Sequence, residues 1–491
     1  MKRSVLLALA TSLVLAWAPG SAQPQPATAD APRVLRYAFP VAETGFDPAQ
    51  ISDLYSRTVA AAIFDAPLTY AYLARPAQAV PNTAVALPEI TDGGTTFTFR
   101  IRPGIFFQDD PVFRGRPREL TAADYVYAIK RHYDPKFKSP NLFQLENAGI
   151  LGLSELRKRL IDEKKPFDYD AEVAGLKLLD RYTFQVRIKA PAPRFYYLFT
   201  DGAVMGAVAR EVVEHYGDAI MAHPVGTGPF VLKSWRRSSK IVLERNPNYR
   251  EERYAEAPPA DDAEAVAMAQ RLAGRRLPLL DRVEISIIEE QQPRWLAFLN
   301  NEHDLLDRLP NEFAPTAIPH NQLSPHLAKQ GIRMVRTPLV DATLSYFAME
   351  NPVVGGYTPE RVAFRRAMSL AYDVNAEIER VRLGQAVPAQ SVIPPLLSGH
   401  DPAFRSEMSE HSPARANALL DLYGWVDRDG DGWRDQPDGS PLLLEYSSQP
   451  DQQSRKQQEL WRKAAESVKV RIDFQIAKWP EQLKASRAGK L

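Results

Sequence analysis

LPEITDGGTTFTFRIR, Leu87 to Arg102, reads as a tight turn followed by a half-buried strand. Asp92-Gly93-Gly94 is turn chemistry, because glycine adopts at little cost the backbone a tight turn demands. Phe97, Phe99 and Ile101 then alternate with Thr98, Arg100 and Arg102, the period of a strand with one apolar face. Pro103-Gly104 stops it. Downstream, Thr121-Ala-Ala-Asp124 is a helix start: the threonine hydroxyl can serve a free backbone N–H, and the acid complements the positive helix end. Val126, Ile129 and Tyr133 follow at helical spacing. Upstream, Val34 to Phe39 (VLRYAF) alternates like a first strand, Gly45-Phe46-Asp47-Pro48 ends it in a loop, and residues 53–73 read as a helix and turn.

The same alternation continues toward the C-terminus. Residues 253–278 are rich in alanine and charge and predict an inserted helix flanked by loops. Arg282 to Glu289 (RVEISIIE) reads as a strand with Val283, Ile285 and Ile287 on one side. Phe364, Ala367, Met368, Ala371, Val374, Ile378 and Val381 recur at steps of three and four, which predicts one long amphipathic helix with Arg365 and Arg366 on its solvated side. Strands alternating with helices make an α/β pattern. A length of 491 residues suggests roughly three domains. The 41 prolines exceed the usual share of about 5%, so loops are long and stiff.

Composition excludes several classes. A hydrophobic fraction of 45% and a charged fraction of 25% describe a globular chain, neither disordered nor polytopic in a membrane. Lys+Arg number 61 against 60 Asp+Glu, for a net charge of +1, so no basic excess points to nucleic acid. There is no cysteine, which removes disulfides, thiolate metal sites, cysteine nucleophiles and lipid attachment through cysteine. Lys2 and Arg3 precede an uncharged apolar run, Val5 to Trp17, and Gly20-Ser21-Ala22 offers small residues at a cleavage site. Residues 1–22 therefore read as a secretory signal peptide, too short for a comfortable membrane span, and 23–33 as a polar, proline-rich lead-in. A cleaved signal without a lipid-bearing cysteine predicts a free protein of the periplasm.

Four segments together resemble one family, the large solute-binding proteins of bacterial ABC importers, of the oligopeptide and dipeptide-binding kind. They are Leu87–Arg102 with Gly104-Ile-Phe-Phe107 and Leu120-Thr-Ala-Ala-Asp124; Pro224-Val-Gly-Thr-Gly-Pro-Phe230 with Ile241-Val-Leu-Glu-Arg-Asn-Pro-Asn-Tyr249; Phe364–Asp373 with Ile393-Pro-Pro395; and Ala414–Gly424 with the strand Leu442–Tyr446. The resemblance implies a Venus-flytrap fold of the type II periplasmic-binding kind. Two α/β lobes, 34–80 with 190–310 and 311–491, would carry an extra α+β domain inserted at 81–189. It further implies a monomer that closes on a peptide and docks on an inner-membrane permease served by a cytoplasmic ATPase. In relatives a further stretch follows the position of Leu491, with a Trp- and Asp-containing strand end that meets the ligand's ammonium group, so a truncated chain with incomplete lobes is expected. The alternatives are a binding protein for an oligosaccharide, an opine or a chelated metal, and a secreted hydrolase.

The resemblance also points to site residues. Peptides held by their backbones use main-chain hydrogen bonds, charged groups for the termini and roomy pockets. The matching positions are Glu43 and Thr44 before Gly45-Phe46, Tyr346, and Ser447-Ser448-Gln449, with Trp479 as a pocket wall. Ordinary loop structure, or core packing for Trp479, is the alternative. Where dipeptide-binding members place a carboxylate-pairing arginine, this chain has Ser448, which admits a longer peptide or another solute. Gly226-Thr-Gly-Pro229 lacks the Lys-Ser/Thr of a phosphate cradle and reads as tight backbone beside a hinge strand. Asp427, Asp429, Asp431, Asp435 and Asp438, with Gly432 among them, have the spacing of a calcium loop, although the last ligand is a short aspartate and the flanks are a helix and a strand. A structural calcium or a solvated acidic turn both fit. The scattered histidines and the absence of Gly-x-Ser-x-Gly or Ser-x-x-Lys leave no catalytic centre, and no cofactor is expected.

Overall fold

Residue 34 begins a strand that finds its partner almost 250 residues later, and this pairing frames the first half of the molecule. The computed structural model describes residues 31–491 apart from 75, 337, 338, 396 and 398. The proposed signal segment and the lead-in through residue 30 lie outside the described residues. In chain order, the elements that position the site in the first half are β1 (Val34–Phe39), α1 (Leu54–Ile63), β2 (Glu89–Thr91), β3 (Thr96–Arg100), α2 (Ala122–Tyr133), β4 (Leu176–Asp180), β5 (Thr183–Arg187), β6 (Phe230–Arg236), β7 (Lys240–Arg245) and β8 (Arg282–Ile287). Strand β1 runs parallel to β8, from Val34 opposite Arg282 to Phe39 opposite Ile287. β8, β7 and β6 continue antiparallel, giving the order β1-β8-β7-β6.

A second, antiparallel sheet of order β2-β3-β5-β4 lies between α1 and β6 in the chain. Phe97 and Phe99 point inward as their alternation predicts. Phe99 stacks on Phe184 with centroids 4.9 Å apart and tilts against Phe199 at 4.6 Å. The other face was expected to be solvated, yet Thr96 and Thr98 are buried as well. Their hydroxyls make this tolerable: Thr96 donates to Asp92 and Thr98 accepts from Gln185. Helix α2 begins at the capping box read from Thr121 and Asp124, with the Thr121 N–H donating to Asp124 Oδ2 at 2.8 Å and its hydroxyl to the same oxygen at 3.0 Å. Thr121→Ala should cost about 1 kcal/mol of stability in a urea titration. A loss under a few tenths would show that Arg118, which also pairs with Asp124, holds this helix end without the hydroxyl.

The second half adds α3 (Pro359–Ala371), α4 (Val374–Arg380), β9 (Leu443–Ser448), α5 (Gln452–Ser467), β10 (Arg471–Ile476) and α6 (Trp479–Arg487). The single long helix expected over 364–381 is two helices. Tyr372 turns extended because its ring stacks on Trp461 at 4.4 Å and its hydroxyl donates to Glu377. Asp373 then caps α4 by accepting from the Ala376 N–H at 2.9 Å. Arg366 lies at the surface with Glu407, as expected, but Arg365 is turned to the carbonyls of Val354 and Gly356. β9 and β10 pair in parallel, and their Leu444, Tyr446, Ile472 and Phe474 face the helices. The helix expected within 253–278 forms over Ala263–Leu272.

Two large apolar cores result. One gathers buried residues from Phe39 to Ile285, the other from Val354 to Val470. Each half therefore has its own interior, as two separate α/β bodies require. Among the described residues no helix is long and apolar enough to cross a membrane.

Candidate functional site

The loop after β1 is built onto the start of α1. Asp53 caps that helix by accepting from the Ser56 N–H at 2.8 Å. Thr44 is bound to the same cap, its hydroxyl donating to Asp53 at 2.7 Å and its N–H to the Ser56 hydroxyl at 2.9 Å. Glu43 is only 3% exposed, and one carboxylate oxygen accepts from the Trp235 indole at 2.6 Å and the Ser238 N–H at 2.8 Å. It thus holds the β6–β7 hairpin. Its second oxygen is buried without a partner among the described residues. Phe46 has no exposed surface and packs edge-on against Trp235. Of this group, Thr44 keeps partial access to solvent.

The other expected residues converge on α6. Tyr346 is exposed, and its hydroxyl meets that of Ser486 at 2.5 Å. Ser448, at the end of β9, is buried: its hydroxyl accepts from Gln458 at 2.9 Å, and its carbonyl accepts from Ala477 and from the Gln482 side chain. Ser447 precedes it in the strand, and the Gln449 carbonyl accepts from Gln458. Trp479 opens α6 with 40% of its surface exposed, so it is not a core residue. Lys478 just before it pairs with Glu289 at 3.0 Å, tying α6 to the chain that leaves β8.

Beside each group stands an arginine that sequence reasoning did not single out, Arg57 next to Ser56 on α1 and Arg487 next to Ser486 on α6. Arg57, one residue past Ser56 on α1, is ion-paired with Asp201. Arg487, on the last turn of α6, has its pKa drawn below the ordinary value, first by burial and then by the Arg57 guanidinium. Neither lies in a motif.

The acidic loop is elsewhere. Asp427, Asp429 and Asp435 bring carboxylate oxygens within 4.8 Å of one another. Each already accepts a backbone N–H: Asp427 from Gly430 and Gly432, Asp429 from Asp431, Asp435 from Arg428. Asp431 is turned to Arg471, and Asp438 accepts from Ser440. Three of the five aspartates converge, against the six to eight oxygens calcium takes. In the Gly226–Pro229 segment the Gly228 N–H donates to the Ile63 carbonyl at 2.8 Å and the Thr227 hydroxyl to Asp65 at 2.9 Å, so the loop serves packing against α1.

Residues 78–491 match the model of bacterial extracellular solute-binding proteins, family 5. The chain belongs to family 5. Its fold is the expected two-lobed α/β type. The family 5 chain is 25% identical over 471 residues, 94% of its length and 75% of the relative's, to di/tripeptide-binding protein 2 of Pseudomonas aeruginosa (strain UCBPP-PA14). It is 36% identical over 155 residues to the periplasmic oligopeptide-binding protein OppA of Salmonella typhimurium, a match covering 31% of this chain and 26% of that protein. The OppA structure from Burkholderia pseudomallei superposes with a TM-score of 0.68 at 19% identity, over 94% of this chain and 79% of that one. That likeness establishes the fold.

Proposed function

We propose that this family 5 protein binds peptides between its two bodies as the periplasmic component of an ABC importer and hands them to an inner-membrane permease driven by a cytoplasmic ATPase. It works as a monomer, without chemistry of its own and without a resident cofactor. The observation that carries the reading is the match of residues 78–491 to family 5, in a chain whose relatives are named for di-, tri- and oligopeptide binding. Closure of two hinged bodies would bury a solute between them. Ser448, matched to the place of a carboxylate-pairing arginine by resemblance to dipeptide-binding members, admits a longer peptide or another solute.

A thermal-shift screen of the purified protein against di- to nonapeptides tests this. A ligand at 100 times its Kd adds about 2.7 kcal/mol of stability, so binding peptides should raise Tm by several degrees. The peptides should be recovered intact after incubation. A screen without any shift overturns peptide binding, and cleavage products overturn the non-enzymatic role.

A further inference from the structure

His132 lies in the last turn of α2 and is 1% exposed. Its Nε2 is 2.9 Å from the Val204 carbonyl, which can only accept, so the proton of the neutral ring sits on Nε2. Nδ1 is then an acceptor, and the Ser139 hydroxyl donates to it at 2.7 Å. The same hydroxyl oxygen accepts from the Asn141 N–H at 3.3 Å, and the Asn141 side chain donates to the Ile51 carbonyl at 3.0 Å. One neutral imidazole thus joins three stretches of chain: α2, the loop from Ser139 to Asn141, and the short helix Gly202–Met205. That short helix is capped by Asp201, the ion-pair partner of Arg57 on α1, and Asn141 reaches the chain just ahead of α1.

A second proton on this ring would find no partner. The charged groups that bear on it are Arg131, its chain neighbour, and Asp47, and these two are committed to each other. Asp134, two residues further on, accepts from the Tyr169 hydroxyl at 2.6 Å and the Lys136 N–H at 2.8 Å, while the Lys136 ammonium pairs with Asp218 at 3.2 Å. Gly202–Met205 and the Ser139 loop offer the ring a carbonyl and a hydroxyl, neither of them charged. Protonation would also turn Nδ1 into a donor facing a hydroxyl whose hydrogen already points at it. Burial accordingly holds the ring neutral, with its pKa lowered to about 4 from an ordinary value of about 6.5.

We infer that His132 is a proton-operated pin: neutral, it fastens α2 to the chain around α1, and on taking up a proton it lets that fastening open. A histidine buried in its neutral form contributes stability above its unfolded value, and the contribution is lost as pH falls from there toward the folded value. Between pH 7.5 and 5.0 the opening equilibrium should therefore rise about thirtyfold.

Backbone hydrogen exchange of the full chain, read by mass spectrometry at pH 7.5 and 5.0 and corrected for the intrinsic rate at each pH, provides the test. Amides of residues 131–142 and 202–206 should exchange about thirtyfold faster at pH 5.0, while those of Pro359–Ala371 in the second core keep their rates. His132→Gln carries an amide donor and takes up no proton, so it should hold the ratio for the same amides near one. His132→Leu combined with Ser139→Ala, which strands no hydroxyl, should do the same and serves if the glutamine variant does not fold. Equal corrected exchange at the two pH values in the unaltered protein overturns the pin, and so does an acceleration that persists in either folded variant. An acceleration shared equally by Pro359–Ala371 overturns it as well, because it marks a general loosening in acid.

Discussion

Asp47→Ala should remove about 3–5 kcal/mol of folding stability, the loss expected when one member of a buried ion pair is deleted. Asp47 and Arg131 are each 1% exposed and form a bidentate pair, with contacts of 2.6 and 2.9 Å. Asp47 also accepts from the Gln50 side chain at 2.7 Å, and the Arg131 guanidinium lies over the Phe137 ring at 4.4 Å. Removing the carboxylate strands a guanidinium where no water reaches it. The double replacement Asp47→Leu with Arg131→Met should lose less than Asp47→Ala alone, because it buries no unpaired charge. A urea titration of the three variants decides the matter, and an additive double replacement would show that the pair is not the cause. The pair ties the loop that follows Thr44 to α2, so its loss should also loosen the first half of the site.

The pH dependence follows from the same contact. Burial alone would raise the Asp47 carboxyl, but Arg131 and the hydrogen bonds outweigh it and hold the group below the usual carboxylate range. A carboxyl depressed on folding contributes stability above its unfolded value, about 4, and that contribution is lost as pH falls through the folded value. The gap between the unaltered protein and Asp47→Ala should therefore be constant near neutrality and narrow in acid below pH 4.

What could be read in advance depended on the range of each interaction. Thr121 and Asp124 sit three residues apart, so the cap was legible from their identities. The inward Phe97 and Phe99 followed from period two. The break at Tyr372 was not legible, because the stripe from Phe364 to Val381 is continuous and only Trp461, far along the chain, draws Tyr372 away. The same holds at the site. Tyr346, Ser448 and Trp479 were named from a resemblance, and in the structure Trp479 opens α6 while Tyr346 and Ser448 hydrogen-bond to that helix. Glu43 was expected at a ligand-facing position, but Trp235 and Ser238, distant in sequence, occupy one of its oxygens. Arg57 and Arg487 lie on helices far apart in the chain, where composition and spacing carry no signal.

Gly226→Ala should destabilise the protein by about 3 kcal/mol, the top of the range for overpacking. A Cβ at this position would lie 2.0 Å from the Ile63 carbonyl oxygen and 2.7 Å from its carbon. The obstacle is backbone, not a side chain that can swing aside. Neither partner can retreat: the Gly226 carbonyl accepts from the Gln108 N–H at 2.9 Å, the Gly228 N–H donates to the same Ile63 carbonyl, and Ile63 is fully buried at the end of α1. Gly430→Ala gives the contrast. Gly430 has φ of +78° with open space around it, so alanine there meets only the left-handed backbone penalty of about 1 kcal/mol. Chemical denaturation of both variants should rank Gly226→Ala well above Gly430→Ala. Equal losses would mean that the close approach to Ile63 costs no more than a left-handed backbone, and would overturn the packing argument. Because α1 carries both Ser56 and Arg57, a displaced Ile63 would be felt at the site, and Gly226→Ala should weaken peptide binding although residue 226 is not itself a candidate site residue.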